Sequence, residues 1–297
     1  MTQDTTTLTS DLLTISIATH GAELCSIIDR GGREYLWQAD PRYWKRHSPI
    51  LFPIVGSVRD GHFTIDGRQY SMSQHGFARD SDFTPLGSTG DEAWYELTSS
   101  DTTLAAYPYK FRLQVGYRLT GETVTVIWRV TNTDDRDIYF QIGAHPAFYY
   151  PDYGSDGERG YLWFDREDSF TYLRIGDGAC ASLTPHSQPL DGHLLRLDTH
   201  TFDIDTFIIE GSQLTSVALL DRERRPHLTM QFDSPLLGIW SPPRKDAPFV
   251  CIEPWYGRCD REGFEGEFRD RDHVNRLAAG QTFEASYKII IDRAKGI

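Results

Sequence analysis

Two segments of the sequence share one design. In QIGAHPAFYY, residues 141–150, an apolar run ends in His145 followed by Pro146; in FVCIEPWYGRCD, residues 249–260, another ends in Glu253 followed by Pro254. Proline has no backbone N–H and interrupts a β-ladder. Each segment therefore reads as a strand that stops with one ionisable side chain projecting into a cleft. A histidine facing a carboxylate is the simplest general acid–base pair. Burial against Trp255 would raise the Glu253 carboxyl, and a neighbouring carboxylate would raise the His145 imidazole, bringing both toward neutrality. The competing reading leaves His145 on a backbone carbonyl and Glu253 on a surface arginine.

A third segment, MSQHGFARDSDF at residues 72–83, sets His75, Gly76, Phe77 and Arg79 side by side. Its polar groups read as the lip of a site. Arg79 either grips an anionic group through its planar fork or pairs with Asp80 or Asp82. Around the three segments stand Phe77, Phe148, Tyr149, Trp240, Trp255 and Tyr256. Sugar rings lay apolar C–H faces on aromatic rings and need a few fixed polar partners for their hydroxyls, so this supply points to a carbohydrate ligand. The histidines His47, His62, His75 and His145 lack metal-ligand spacing, and no metal site is expected.

Strict alternation dominates the elements that must position these groups. In GETVTVIWRVTNTDD, residues 121–135, Val124, Val126, Trp128 and Val130 share one face and Thr123, Thr125, Ile127 and Arg129 the other. Shorter runs of the same kind recur along the chain: LLTISIATHG, FRLQVGYRLT, IYFQIGAH, SVALLDR, HLTMQF, LLGIWSPP, FVCIEPW and SYKIIID. Glycine, proline, aspartate and asparagine punctuate them, and apolar periods of helical type are short and rare. The pattern predicts an all-β chain, one large antiparallel β-sandwich with few short helices, formed as a single domain over residues 1–297. The polar stretch PDYGSDGERG, residues 151–160, reads as a loop of that sandwich.

The formal net charge of -13 and the pI near 5.2 argue against a nucleic-acid partner, because phosphate backbones are bound through Lys and Arg. No apolar run is long enough to span a bilayer, and the first 21 residues lack a basic start followed by an apolar stretch, so neither a membrane nor a signal peptide is expected. A cytoplasmic location follows as the expectation. Cys25, Cys180, Cys251 and Cys259 fit reduced thiols in that compartment. Edge strands would permit a homodimer without requiring one, so the expected state is monomer or homodimer.

Taken together, SPILFPIVGSVRDGHFTIDGRQYSMSQHGFARD, GAHPAFYY and CIEPWYGRCD resemble the aldose 1-epimerase (mutarotase) family, most closely its shorter LacX-like branch. The resemblance runs from GAELCSI to SYKIIID and implies a sandwich of the galactose mutarotase type. It implies that His145 is the general acid, that Glu253 is the general base, and that His75 holds the sugar near its ring oxygen. FDIDTFII, residues 202–209, resembles the segment whose aspartate contacts ring hydroxyls, which selects Asp205, with Asp203 as the neighbour an alignment slip would choose. The implied reaction is reversible ring opening of a hexopyranose, without a cofactor. One departure stands out. Where galactose mutarotases carry an Asn-Arg pair before a Gly-Lys-Phe hairpin, this chain has Gly56-Ser57, and Arg59 or Arg79 would have to replace the missing arginine. The HGFAR context of Arg79 resembles the hexose-6-phosphate mutarotases, so the expected substrate is a sugar or a sugar phosphate. Two other classes fit some of the same residues: a sugar-binding or sensing protein without chemistry, and a glycoside hydrolase using Glu253 with Asp205.

Overall fold

The computed structural model describes residues 4–292, so the first three and last five residues, ends of the expected 1–297 domain, lie outside it. Alternating apolar residues produce the expected strands. Val124, Val126, Trp128 and Val130 lie on the buried face of the Thr123–Asn132 strand. This strand sits inside a nine-stranded antiparallel sheet, flanked by Phe111–Thr120 and Thr282–Ile291. A six-stranded antiparallel sheet packs against it. From one edge it runs Phe207–Ile209, Leu236–Trp240, Phe249–Tyr256, Ile142–Ala144 and Ile50–Leu51, with Ala147–Tyr149 also paired to Phe249–Tyr256. The fold is the large antiparallel β-sandwich read from the alternation. A three-stranded sheet, Thr5–Thr9, Leu13–Ala18 and Leu24–Asp29, adds to the same core. Among the described residues the one α-helix is Asp101–Ala106, started by a capping box between Ser100 and Thr103.

The period of two decides which face of the smaller sheet holds core and which holds chemistry. On Phe249–Tyr256, Val250 and Ile252 join the buried cluster shared with Val126 and Trp128. Tyr256 turns the same way, its ring edge-on to Trp128 at 6.4 Å. Phe249, Cys251, Glu253 and Trp255 point to the other face. There Trp255 lies flat on the sheet because its neighbours are glycines. A Cβ on Gly238 would come within 2.4 Å of its ring, and one on Gly143 within 2.6 Å.

Three local expectations are corrected. Pro254 does not end its strand, which continues through it to Tyr256. IYFQIGAH is not one strand: it divides into Ile138–Phe140 and Ile142–Ala144 at the buried Gln141, whose amide accepts from Val55 N and Arg271 and donates to the Asp272 carbonyl. The loop after Pro151 ends earlier than expected, the next strand starting at Glu158. No helix among the described residues is long and apolar enough to cross a membrane.

Behind the site face lies a buried ion pair. Arg271 Nε donates to Asp260 Oδ1 at 2.5 Å, with side chains 1% and 3% exposed. The other Asp260 oxygen accepts from Arg59 N at 2.9 Å, and Asp260 N donates to the Ser57 carbonyl at 3.1 Å. This pair fixes the Ser57–Arg59 segment. Arg271→Met, which strands a buried carboxylate, is expected to cost roughly 3–5 kcal/mol in urea unfolding, and Asp260→Asn added to it should recover part of the loss.

Candidate functional site

Pro146 opens a gap in the ladder between Ile142–Ala144 and Ala147–Tyr149. Both strands pair with Phe249–Tyr256, and in the same register: Gly143 lies opposite Trp255, and Ala147 opposite Cys251. Carrying that register through the gap sets His145 directly across from Glu253. The two proline-marked residues are thus cross-strand neighbours in mid-sheet, not side chains at separate strand ends. The His145 backbone N–H donates to the Pro49 carbonyl at 3.1 Å, so opening the ladder orphans no amide there.

His145 Nε2 and Glu253 Oε2 stand 3.3 Å apart, with side chains 8% and 1% exposed. They are out of line for a hydrogen bond. Neither Glu253 oxygen has a hydrogen-bond partner among the described residues, nor does His145 Nδ1. The nearby Trp255 indole N–H is committed to the Ala144 carbonyl at 3.2 Å. Buried polar atoms are almost always paired, so three orphans together mark a place built to receive other polar groups. Burial pushes Glu253 well above the usual carboxylate range, the nearby Trp255 indole N–H opposing the shift and Asp205 adding to it. Burial, helped by Arg79 and Arg46, pushes His145 down to about 3. Burial therefore favours the neutral form of both groups.

These atoms form the floor of a cavity of about 340 Å³ whose lining includes Trp44, Ser57, His75, Arg79, Asp205, Trp240 and Trp255. His75, Arg79, His145, Asp205, Trp240 and Glu253 thus line one cavity. Asp205 is in the lining, and its carboxylate accepts from Thr206 Oγ1 at 2.9 Å. Asp203, the alternative, is engaged by His200 at 3.0 Å and is not in the lining. Among the expected aromatics, Trp240 and Trp255 face the cavity, while Phe77, Phe148 and Tyr256 pack on the core and Tyr149 on Trp37. Arg59 lies in no strand and turns away, donating to the Phe264 carbonyl, so it does not replace the arginine missing at Ser57. Arg79 does enter the cavity. It donates to the Gln74 carbonyl at 2.6 Å, and its buried Nε has no hydrogen-bond partner. Asp80 is 3.7 Å from that nitrogen and is held instead by Arg46 at 2.8 Å. Burial and the Arg46 charge lower Arg79 to about 10. His47 and His62 are absent from the lining, so the four histidines form no group.

His75 is locked by reciprocal bonds to one residue. Its N–H donates to the Gly56 carbonyl at 2.8 Å, and Gly56 N–H donates to its Nδ1 at 3.1 Å. Because Nδ1 accepts, the proton of the neutral ring sits on Nε2, which makes that nitrogen a donor. Burial above all, with repulsion from any charge on His145 and from Arg79 and Arg46, holds His75 well below 6.5. The bend is tight: His75 has φ +67 and Gly76 φ +72, and a Cβ on Gly76 would meet the Phe52 carbonyl oxygen at 2.2 Å.

Trp44 was not singled out from the sequence. Its ring stacks on His145 with centroids 4.6 Å apart, and Trp240 meets His145 edge-on at 5.4 Å. Two tryptophans thus fix the imidazole plane and exclude water. Trp44 stands in PRYWKRH, a turn with no strand pattern, which hides it from a reading based on alternation.

Residues 4–267 match the family model for aldose 1-epimerase. The chain belongs to the aldose 1-epimerase family. It is 31% identical to protein LacX of Lactococcus lactis subsp. lactis over 294 residues, covering 96% of this chain and 98% of that protein. Among solved structures, a galactose mutarotase related enzyme from Lactobacillus acidophilus superposes with TM-score 0.92 at 31% identity, covering 98% of each chain. A galactose mutarotase-like protein from Lactobacillus casei gives 0.90 at 29%, covering 97% of this chain and all of that one. An aldose 1-epimerase fold thus carries the His145–Glu253 pair across one register of its smaller sheet.

Two measurements check this geometry. Gly76→Ala should destabilise the protein by about 2 kcal/mol more than Gly67→Ala, where φ is +76 but nothing lies within 4 Å of the new methyl. The second is the acid response. Unfolded His75 and His145 take up protons below 6.5, whereas the folded residues resist, so each removes stability as pH falls. Glu253 acts oppositely, its protonated folded form losing stability as pH rises above 4.5. His75→Gln should therefore flatten the loss of stability between pH 6.5 and 4.5 by about 1.4 kcal/mol per pH unit in urea unfolding.

Proposed function

We propose that this protein is a mutarotase that interconverts the α and β anomers of a hexopyranose by acid–base ring opening. The observation that carries the reading is the buried, unpartnered His145–Glu253 pair at the floor of a tryptophan-lined cavity. Glu253 as carboxylate removes the proton of the C1 hydroxyl, and protonated His145 gives one to the ring oxygen. The bond between C1 and that oxygen breaks, leaving an open-chain aldehyde with Glu253 protonated and His145 neutral. Rotation about C1–C2 turns the other carbonyl face, and reclosure with both transfers reversed yields the other anomer.

The electrostatics suit this cycle. Burial favours the neutral pair, which is the protonation state belonging to the open-chain aldehyde. The ion pair needed to start is the same pair with its proton moved, so sugar binding has only to shift a balance. The bound hydroxyl and ring oxygen would supply the hydrogen bonds the pair lacks. His75, through Nε2–H, and Asp205 are suited to hold ring oxygens, and Trp240 and Trp44 to cover the apolar ring face. C1 must stay free to turn, so these contacts belong on the rest of the ring. The alternative glycosidase pairing of Glu253 with Asp205 leaves His145 without a role.

A second reading concerns the substrate. Arg79 enters the cavity with an unpartnered Nε, which favours an anionic substituent and makes a hexose 6-phosphate the alternative.

Polarimetry of freshly dissolved α-glucose, α-galactose and their 6-phosphates tests both readings. Glu253→Gln and His145→Ala are each expected to lower kcat by about 10²–10⁴-fold. Arg79→Met should raise KM selectively for the 6-phosphates if these are the substrates, and leave neutral hexoses little changed. Relaxation no faster than buffer for all four sugars would contradict the enzyme reading. Sugar binding without turnover would favour a sensing protein instead.

A further inference from the structure

Beside the acid–base pair, in the buried cluster of Trp37, Ala147 and Phe249 and outside the cavity lining, lies a further reactive group. Cys251 precedes Glu253 by two residues on the Phe249–Tyr256 strand, so its thiol points to the same face. Cys251 Sγ, a ring nitrogen of His145 and a carboxylate oxygen of Glu253 lie within 4.8 Å of one another, and all three residues are buried. Both Glu253 oxygens and His145 Nδ1 lack hydrogen-bond partners among the described residues. The 3.3 Å between His145 Nε2 and Glu253 Oε2 already matches one edge of a zinc tetrahedron. Bonds of about 2.0–2.3 Å set neighbouring zinc ligands roughly 3.3–3.7 Å apart.

We propose that His145, Cys251 and Glu253 form a three-ligand site for a borderline-soft divalent cation of the Zn²⁺ type, whose binding blocks the sugar pocket. Binding releases the thiol proton and the carboxyl proton to solvent and forms nitrogen, sulfur and oxygen bonds to the ion. The thiolate and carboxylate together cancel its double charge. The buried complex is therefore neutral, which avoids the cost of sealing a lone charge from water. Sulfur in the set selects against Mg²⁺ and Ca²⁺, which take six or more oxygen ligands. Three protein ligands leave the fourth tetrahedral position for water from the cavity. The ion and the sugar both need His145 and Glu253, so they exclude each other. The blocking effect rests on the mutarotase reading; the coordination does not.

The test is a Co²⁺ titration of metal-free protein followed by Zn²⁺ displacement. The expected result is one Co²⁺ per chain, with thiolate-to-cobalt absorption and the visible bands of a four-coordinate ion. Cys251→Ala and Cys251→Ser should both lose the thiolate absorption and bind Zn²⁺ roughly tenfold or more weakly. Thermal denaturation establishes that each variant is folded, and two variants guard against loss of one. In the anomer assay Zn²⁺ should inhibit the wild type reversibly on chelation, while Cys251→Ala, compared with its own uninhibited rate, should be at least tenfold less sensitive. Absence of thiolate absorption in the wild type, or equal Zn²⁺ affinity in wild type and both variants, would overturn the site. If no sugar is turned over, the Co²⁺ arm still decides it.

Discussion

The site depends on one register. Pro146 lifts a stretch of backbone out of the ladder, but the strands on either side keep the same pairing with Phe249–Tyr256. That continuity brings an imidazole and a carboxyl to 3.3 Å in mid-sheet, on the face turned away from the core. A slip of one residue would turn Glu253 into the sandwich core and Ile252 into the cavity. Register is therefore what joins the fold to the chemistry. It is held by the apolar alternation of Val250 and Ile252 against the nine-stranded sheet.

The walls follow from constraints of other kinds. Trp255 can lie flat because Gly143 and Gly238 leave room for its ring. His75 is presented by a left-handed bend that only Gly76 can complete so close to Phe52. The Arg271–Asp260 pair fixes the segment that carries Ser57, and Gly56 beside it sets the tautomer of His75. Stacking on Trp44 and edge contact with Trp240 hold the His145 ring. A site that must transfer protons between fixed groups needs this rigidity, since small displacements weaken proton transfer strongly.

Much of this was legible in the sequence, and what was not has a physical reason. Period-two alternation identified the strands, because a half-buried strand must alternate. The repeated His-Pro and Glu-Pro design marked both ionisable groups. It misled on their setting, because a proline can open a ladder without ending its strand. Asp205 came from family resemblance alone, whereas His75 was marked by its own polar cluster and took only its ring-oxygen role from the resemblance. Trp44 escaped notice because its contact with His145 is made from a turn, and turns carry no periodicity. Arg271 and Asp260 escaped because a buried ion pair looks, residue by residue, like surface charge. Gln141 read as part of a strand until its amide proved to be shared among Val55, Arg271 and Asp272.

The central claim is that His145 and Glu253 act as one proton-transfer unit across the ladder gap. Anomer exchange measured by NMR in the wild type, in His145→Ala, in Glu253→Gln and in the double variant tests it most directly. A unit predicts that the double variant is no slower than the slower single variant. Independent, multiplying losses in the double variant, or near-normal exchange in either single one, would contradict the account.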